Sequence, residues 1–593
     1  MKTSQILHTL VRQVGQYRTA TLLTPIFTAL EVVIDVFIPY VTALLIDQGI
    51  LAGDMQKIYL YGLLMIGMAL LSLLFGILAG RMAAHASAGF AANLRTAMYR
   101  NIQTFSFSSI DKFSTSGLIT RMTTDVTSLQ NAMQMVLRIT IRAPFRLVLA
   151  IFMCLFINVK TSFIFLSALV FLAIFLTFIT THVSPVFTRL FKKYDELNAS
   201  VQENISGIRV VKDYVREDYE CQKFDEAATQ LYKINVKAEL FLATMHPVMS
   251  MVTYGCIIAI SWFGAHYVVD GSLTTGELTS LFSYIMMILM SLMMLNMIFV
   301  MLTMSAASAR RVTEVICEQT ELTAPQQALT QVGSGSVEFR DVSFSYAQGS
   351  GDYAISDISL SIPSGERLGI IGGTASGKST LVHLISRLYD TTRGQVLVDG
   401  HNVREYDLDT LRTAVSVVLQ QNMLFSGTIL ENLRWGNPEA TLEQCREACR
   451  MACADEFITQ MPEGYETRIE QGGTNVSGGQ RQRLCLARAL LRQPRILILD
   501  DATSACDTAT DARIRHNLKT CFPGMTQLVI SQRVNTVMEC DRILILKDGT
   551  VNGIGTHQEL LESNAIYREI YTIQQESGGD FDNPKANGKG GEA

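Results

Sequence analysis

Residues 367–379 read RLGIIGGTASGKS, a stretch that decides the fold of the second half of the chain. The apolar run RLGIIG leads into the pattern GxxxxGK[ST], and the helical run LVHLISRL follows it. Glycines in such a loop let backbone N–H groups face a phosphate chain, the lysine reaches the terminal phosphates, and the hydroxyl at the helix N-terminus can bind Mg²⁺. We predict a nucleotide-binding phosphate loop formed by Gly372, Gly373, Thr374, Ala375, Ser376, Gly377, Lys378 and Ser379, with Thr380 beside it.

A second buried run, ILILD at 496–500, ends in the carboxylate of Asp500. Parallel strands bring their carboxyl ends to one sheet edge, so Asp500 and Ser379 are expected to hold Mg²⁺ together. The runs VEFRDVSFSY at 337–346 and QLVIS at 527–531 also alternate with helical stretches. This alternation predicts an α/β domain built on a parallel sheet.

The composition of the whole chain indicates that apolar residues are concentrated in one region. Over all 593 residues the charged fraction is only 17%, against about 25% in soluble domains, while 48% of residues are hydrophobic and the mean hydropathy is +0.24. The formal net charge of −5 excludes an overall basic nucleic-acid binder. Six long apolar segments lie near 18–50, 55–85, 128–158, 161–187, 240–269 and 276–308. Each exceeds the roughly 20 helical residues that cross a bilayer, so we predict six membrane helices.

Basic side chains are concentrated in the long connections after the second and fourth apolar segments. They are Arg95, Arg100, Lys112 and Arg121, and then Arg189, Lys192, Lys193, Arg209, Lys212 and Arg216. Positively charged loops stay on the cytosolic side, so we predict a multi-pass protein of the cell's inner (plasma) membrane with both termini in the cytosol.

The same patterns divide the chain into five parts. We predict an interfacial N-terminal helix at 1–17, the six-helix domain with two cytosolic loops at 18–311, a linker at 312–336, the nucleotide-binding domain at 337–576 and a disordered tail at 577–593.

The segment VSGGQRQR at 476–483 carries a resemblance to a family. With SGGQ between a phosphate loop and an acidic strand end, the chain resembles the ATP-binding cassette (ABC) exporters, in which six membrane helices are fused to one P-loop domain with a helical subdomain. The resemblance implies ATP and Mg²⁺ as ligands and a dimer with two ATP molecules between its domains. It implies that SSIDKFSTSG and NISGIRVVKDY form coupling helices. It also assigns Tyr346 to adenine stacking, Gln420 to Mg²⁺, and Ser477, Gly478, Gly479 and Gln480 to the γ-phosphate of ATP bound on the second domain.

Two catalytic positions depart from that family's pattern. Asp501 stands where the glutamate that polarises the attacking water is usual, and Gln532 stands at the switch histidine. The shorter carboxylate is retracted by more than about 1 Å, a misplacement that can cost about a hundredfold in rate. Gln532 can donate a hydrogen bond but cannot become cationic. Gln471, where many relatives carry glutamate, departs as well.

These departures predict a degenerate ATP site with slow hydrolysis, as in one subunit of the heterodimeric bacterial multidrug exporters. Its partner would carry the catalytic glutamate and the switch histidine, and the substrates would be amphipathic or apolar compounds. Three alternatives stay open: an active homodimer that tolerates both substitutions, a homodimeric lipid or peptide exporter, and a regulatory membrane protein gated by nucleotide.

Three further patterns each have more than one interpretation. Glu31 and Asp35 share a face of the first membrane segment, and Arg138, Arg142 and Arg146 form a basic stripe on the third. Either at least one carboxylate lines a cavity that favours cations, or these charged groups pair across helices, or the arginines lie in a cytosolic extension of the third helix where water reaches them. A methionine stripe lines a substrate cavity or packs between helices. Its members are Met286, Met290, Met293, Met297, Met301 and Met304.

The spacing of Cys445, Cys449 and Cys453 suits a metal site or an apolar helix face.

Overall fold

The computed structural model describes residues 3–320, 322–323, 325, 327–346 and 352–576, and it divides into two compact units. The first comprises Met1–Gln103 and Ser114–Glu318, and the second comprises Thr104–Phe113 and Gln319–Ala593. The tail predicted to be disordered, 577–593, lies outside the described residues.

The first unit is all helical. Its helices, with α4 counted in the second unit, are α1 Thr3–Arg12, α2 Arg18–Leu44, α3 Met55–Ile102, α4 Phe107–Phe113, α5 Thr115–Thr120, α6 Val126–Ile157, α7 Val159–Ser206, α8 Ile208–Asp213, α9 Glu217–Ala243, α10 Met245–Val269 and α11 Thr275–Cys317. Short 3₁₀ (Gly15–Tyr17) and π-helical (Leu45–Ile50, Arg121–Asp125) turns lie among them.

The six predicted membrane helices are confirmed by length and composition within the described residues. Helices α3 and α7 have 48 residues each, about 72 Å at 1.5 Å per residue, so they extend well beyond a hydrocarbon core of about 30 Å. Only Asn158 separates α6 from α7, and its side chain accepts from the backbone N–H groups of Lys160 and Thr161. Helix α11 continues to Cys317, inside the predicted linker, where Val312 and Val315 are fully buried.

The second unit is an α/β domain. Its strands are β1 Val337–Phe344, β2 Ile355–Ile362, β3 Arg367–Gly372, β4 Arg393–Val398, β5 His401–Asn402, β6 Val415–Val418, β7 Gly427–Thr428, β8 Arg468–Ile469, β9 Ile496–Asp500, β10 Thr526–Ile530, β11 Arg542–Lys547 and β12 Thr550–Gly555. Its helices after α4 are α12 Lys378–Ile385, α13 Leu408–Ala414, α14 Ile429–Arg434, α15 Leu442–Met451, α16 Asp455–Gln460, α17 Gly478–Leu490, α18 Thr508–Cys521, α19 Val534–Val537, α20 His557–Ser563 and α21 Ala565–Glu576. Single 3₁₀ turns lie at Val403–Glu405, Gly464–Glu466 and Gln471–Gly473.

The predicted parallel sheet is confirmed. Its six strands run in the order β12-β11-β3-β10-β9-β6, and every pair except β11 with β12 is parallel. The run at 337–346 was wrongly placed in this sheet, because β1 pairs antiparallel with β2 and β4 in a separate four-stranded sheet. Buried and exposed residues alternate along much of β2, a pattern typical of an antiparallel sheet with one solvated face.

Strand order explains how distant motifs meet. Strand β10 lies between β3 and β9, and its last residue, Ile530, pairs with Ile370 and Asp500. The phosphate loop, Asp500 and the segment after Ile530 therefore leave the sheet at the same edge.

The three clustered cysteines belong to the core of the helical subdomain. Cys445 and Cys449 lie on α15, whereas Cys453 follows the end of that helix, and all three are buried. Burial raises the pKa of the Cys449 thiol to about 12 and also raises the pKa of Cys445 and Cys453. A metal ligand must be a thiolate, which burial disfavours here. No group of three metal-ligating side chains occurs among the described residues, which favours the packing interpretation.

Candidate nucleotide-binding site

Glycines shape the phosphate loop in two different ways. A Cβ at Gly377, which has φ +90° and precedes α12, would lie 2.5 Å from Cγ2 of Ile355, and one at Gly372 would lie 2.3 Å from the carbonyl oxygen of Leu546. At Gly373 no described heavy atom comes within 4 Å of that position. Packing therefore requires glycine at 372 and 377, while the backbone at 373 is open to an approaching phosphate.

Lys378 and Ser379 begin helix α12 and carry the polar groups of the loop. The Lys378 ammonium donates to the carbonyl oxygens of Gly372 (2.9 Å) and Gly373 (2.6 Å), and burial lowers its pKa. The Ser379 hydroxyl donates to Oδ2 of Asp500 at 2.8 Å. A hydroxyl and a carboxylate side by side fit Mg²⁺, which prefers oxygen ligands and would offset the negative charge of the phosphates.

Gln420 lies near this edge, two residues beyond β6, which is the parallel neighbour of β9. Its side chain is exposed. The backbone thus places Gln420 as the resemblance implies, and its role toward Mg²⁺ stays a prediction.

Asp501 follows Asp500 directly, in a left-handed backbone conformation with φ +50°. Its N–H donates to the carbonyl oxygen of Ile530 at 3.1 Å. Burial and the neighbouring Asp500 charge raise the pKa of the Asp501 carboxyl, and a hydrogen bond from the Gln532 backbone opposes that shift. The exposed Gln532 is held by Gln574, whose Nε2 donates to its carbonyl oxygen at 2.8 Å. Both departures from the family pattern thus lie together at the nucleotide edge.

The signature segment, residues 476–483, leads into the N-terminus of α17. Ser477 caps the helix: its hydroxyl accepts from the Gln480 N–H at 3.2 Å, and Gln480 Oε1 accepts from the Ser477 N–H at 2.9 Å. A Cβ at Gly479 would lie 2.7 Å from the carbonyl oxygen of Ala505. Gly478 is the first residue of the helix. The capped, exposed helix N-terminus is suited to bind an anion.

Gln482 is a site residue that the sequence analysis missed. Its Nε2 donates to the carbonyl oxygen of Asp501 at 3.2 Å, and its Oε1 accepts from the Ala505 N–H at 2.9 Å. The signature helix is thereby tied to the backbone that carries Asp501. The only sequence signal was its place in VSGGQRQR.

Tyr346 presents a half-exposed ring beside the loop. Its hydroxyl lies 3.0 Å from Oγ1 of Thr380, and its ring packs edge-on against Tyr389 with centroids 5.3 Å apart. Tyr389, a second residue missed from the sequence, donates its hydroxyl to Oδ2 of Asp111 on α4 at 2.7 Å. Helix α4, which contains the first part of the segment SSIDKFSTSG predicted as a coupling helix, is therefore in the same unit as the adenine-stacking candidate, two side chains away from it.

We expect Tyr346→Ala to weaken Mg-ATP binding about tenfold, because stacking of a base on an aromatic ring contributes about 1–3 kcal/mol. Isothermal titration of the purified full chain measures the change. Tyr346→Phe keeps the ring and loses only the contact with Thr380, so it should bind ATP nearly as the unaltered chain does. Equal loss in both variants would assign the effect to the hydroxyl rather than to stacking.

In the membrane unit the structure pairs the two candidate carboxylates with arginines of α6. Arg142 Nη2 lies 3.1 Å from Glu31 Oε1 and 3.3 Å from Asp35 Oδ2, and Arg146 Nη2 lies 2.8 Å from Asp35 Oδ2. Ser72 also donates to Asp35, at 2.6 Å. Neither carboxylate offers the free negative charge on which the expected preference for cations rested. The pairing interpretation applies to Arg142 and Arg146, whereas Arg138 forms no ion pair with a described residue.

The methionine stripe is largely unburied. The exposed fractions are 49% for Met286, 61% for Met290, 46% for Met293 and 59% for Met297. These four side chains therefore do not pack mainly against helices of their own unit. Met301, further along the stripe, lines a cavity beside α6 together with Met294.

Comparison with known proteins agrees with this geometry. Residues 21–293 match the family model described as ABC transporter transmembrane region, and residues 355–504 match that described as ABC transporter. The ABC transporter ATP-binding protein YfiB of Bacillus subtilis, itself uncharacterised, is 36% identical over 92% of this chain and 94% of its own length. The ATP-dependent lipid A-core flippase of Desulfotalea psychrophila is 32% identical over 81% of this chain and 84% of its own. The chain belongs to the ABC transporter family.

A solved bacterial Atm1-family ABC exporter with ATP bound superposes with a TM-score of 0.78 at 23% identity, covering 95% of this chain and 98% of that one. The chain thus has the fold of an ABC exporter half-transporter, with one multi-pass membrane domain followed by one nucleotide-binding domain. Membership implies ATP binding with hydrolysis coupled to transport, Mg²⁺ as the usual metal, and function as a dimer that acts on substrates in the membrane.

Proposed function

We propose that this chain is the degenerate-site subunit of a heterodimeric multidrug exporter in the cell's inner membrane, with both termini in the cytosol. It would bind ATP tightly at its own phosphate loop, hydrolyse it slowly, and lend its signature segment to the fast site of the partner. Its substrates would be amphipathic or apolar compounds. The observation that carries the proposal is Asp501, whose short carboxylate directly follows Asp500 at the edge of the sheet, at the position of the usual catalytic glutamate.

The surrounding site supports binding without efficient cleavage. The phosphate loop, the Ser379–Asp500 hydrogen bond and the Ser477 cap are all formed. The side chain at 501 is one methylene shorter than glutamate, and Gln532 cannot carry the charge of a histidine near the terminal phosphate. Loss of two catalytic groups beside preserved binding groups fits a subunit that serves another chain.

A second candidate is a homodimeric lipid exporter. The specific observation in its favour is the 32% identity to the lipid A-core flippase of Desulfotalea psychrophila. In that case this chain alone would hydrolyse ATP, and Asp501 would be its working base. Nucleotide gating of a passive pathway is a third candidate, and it predicts no uphill transport in sealed vesicles.

The first test is to purify the tagged full chain from its native membrane and identify by mass any second ABC subunit that co-elutes. We expect such a subunit, and we expect Asp501→Asn to leave most of the steady-state ATPase of the complex. Replacing the partner's catalytic glutamate by glutamine should cost about a hundredfold or more. Asp501→Glu should add little.

Two results would favour the homodimer instead. One is full ATPase activity of this chain purified alone. The other is loss of that activity in Asp501→Asn by as much as in Lys378→Ala, a matched variant that removes a phosphate contact of the same site. Uphill dye transport in vesicles separates both exporters from the gated pathway.

A further inference from the structure

The cluster of charged side chains formed by α2 and α6 in the membrane unit has more positive than negative members. Three arginines one helical turn apart on α6 face two carboxylates of α2. Both carboxylates form their ion pairs with Arg142 and Arg146. The third, Arg138, forms no ion pair or hydrogen bond with any residue in the described part of the chain. The cluster therefore carries one excess positive charge, located on Arg138.

Arg138 lines a cavity of about 430 Å³ between α6 and α11. Its wall contains both polar and apolar side chains. The lining residues are Asn131, Gln134, Met135, Arg138, Ile139 and Arg142 from α6, with Met294 and Met301 from α11. A cavity with cationic and amide groups on α6, and apolar side chains including methionines on both helices, matches an amphiphile with an anionic head.

The position of Arg138 along α6 also agrees with the binding of an amphiphile that has an anionic head. Arg138 lies nineteen positions before Ile157, the end of α6, which corresponds to about 28 Å at 1.5 Å per residue, close to the thickness of the hydrocarbon core. Arg146 lies about 16 Å from the same end by that measure, near mid-membrane, where an unpaired charge is expensive. With Ile157 placed at one edge of the hydrocarbon core, the paired Arg146 would be deep in the membrane and the unpaired Arg138 would lie at the level of the lipid headgroups on the other side.

Helix α2 fixes the orientation of the neighbouring Arg142. Its Nη2 is held by Glu31 and Asp35, so the side chain cannot swing away from the cavity wall to which it belongs. Glu31 is nearly buried, at 7% exposure, and does not line the cavity. The two carboxylates therefore position an arginine rather than contact a substrate.

We propose that Arg138, supported by Arg142, binds the anionic headgroup, a phosphate or carboxylate, of an amphiphilic substrate whose apolar part lies against Met294 and Met301. This inference rests on the proposed exporter function and names its substrate class. It replaces the cation preference expected from Glu31 and Asp35. The same chemistry would accept a lipid or a soluble organic phosphate, and a bound lipid would enter from the headgroup level of the membrane.

The test uses the full chain, with any subunit that co-purifies, in phosphatidylcholine nanodiscs without nucleotide. Two fluorescent probes with the same acyl chain are compared, lysophosphatidic acid and lysophosphatidylcholine. We expect the anionic probe to bind about tenfold more tightly, as a charged hydrogen bond provides. Arg138→Gln should abolish this preference and Arg138→Lys should keep most of it. The matched control is Arg81→Gln, which removes an exposed arginine of α3 that is not part of the cavity wall.

The outcomes separate the possible ligands. Displacement of the anionic probe by millimolar glycerol phosphate supports the site and assigns it to soluble phosphates, and resistance to it supports the site and assigns it to lipids. Equal loss of preference in Arg138→Gln and Arg81→Gln would overturn the proposal, because the anionic probe would then be held by general attraction to a basic surface. Subunit dissociation in Arg138→Gln without loss of preference would also overturn it, because Arg138 would then pair with the partner. Since no nucleotide is present, a failure here is distinct from a failure of the proposed ATPase asymmetry.

Discussion

Ser477→Arg is expected to lower the steady-state ATPase of the assembled exporter by about a hundredfold or more, although the phosphate loop of this chain is unchanged. Ser477 caps α17 and lies exposed at its N-terminus. Under the proposed role of the signature segment, a long side chain there would occupy the space in which this helix N-terminus meets a phosphate bound on the partner. ATPase and transport of the purified dimer measure the effect.

Two variants at the same position control for folding. Ser477→Thr keeps the capping oxygen and should retain most activity, whereas Ser477→Ala removes the cap without added bulk and should cost about 1 kcal/mol of helix stability. The thermal unfolding curves of all three variants should differ little. Full ATPase in Ser477→Arg would mean that this segment serves no hydrolytic site, in a heterodimer or a homodimer.

Asp35→Ala is expected to destabilise the membrane unit by about 2–3 kcal/mol, somewhat below the cost of breaking a fully buried ion pair, because Asp35 and its arginines are only partly buried. Asp35 accepts hydrogen bonds from Ser72, Arg142 and Arg146, so the change leaves Arg146 without its carboxylate near mid-membrane. Thermal unfolding in detergent, followed by loss of the monodisperse dimer, measures the change.

The double variant Asp35→Ala with Arg146→Met should recover part of the loss, because it removes the orphaned charge as well. Arg138→Gln should leave the unfolding temperature unchanged, since Arg138 has no partner among the described residues. If Asp35→Ala were as stable as Arg138→Gln, water rather than the carboxylate would be compensating the arginines.

The nucleotide site was largely predictable because its motifs are consecutive in sequence. Lys378 and Ser379 follow a glycine-rich loop, and Asp500 ends an apolar run, so residue type and spacing alone locate them. Parallel pairing then brings these motifs together, since β10 lies between β3 and β9. The antiparallel position of β1 was not predictable, because a short apolar run does not reveal the direction of its neighbour.

Long-range side-chain partners were beyond the sequence. The spacing of Glu31 and Asp35 indicates that they share a helix face but not which helix opposes that face, so the cation preference was inferred without knowledge of Arg142. Gln482 and Tyr389 were missed for the same reason: each acts through contacts with distant segments. A single sequence contains no measure of those contacts.

Helix α4 has a consequence for the order in which the protein is made. The hydrogen bond from Tyr389 to Asp111 joins residues 278 positions apart. At about 5–20 residues per second, the ribosome needs roughly 14–56 s to make the chain between them. For that time α4 exists without the tyrosine that holds it, while the remaining membrane segments are being synthesised. The nucleotide-binding unit therefore includes a helix that is made long before the rest of that unit, and the unit cannot form this contact until the whole membrane domain has been synthesised.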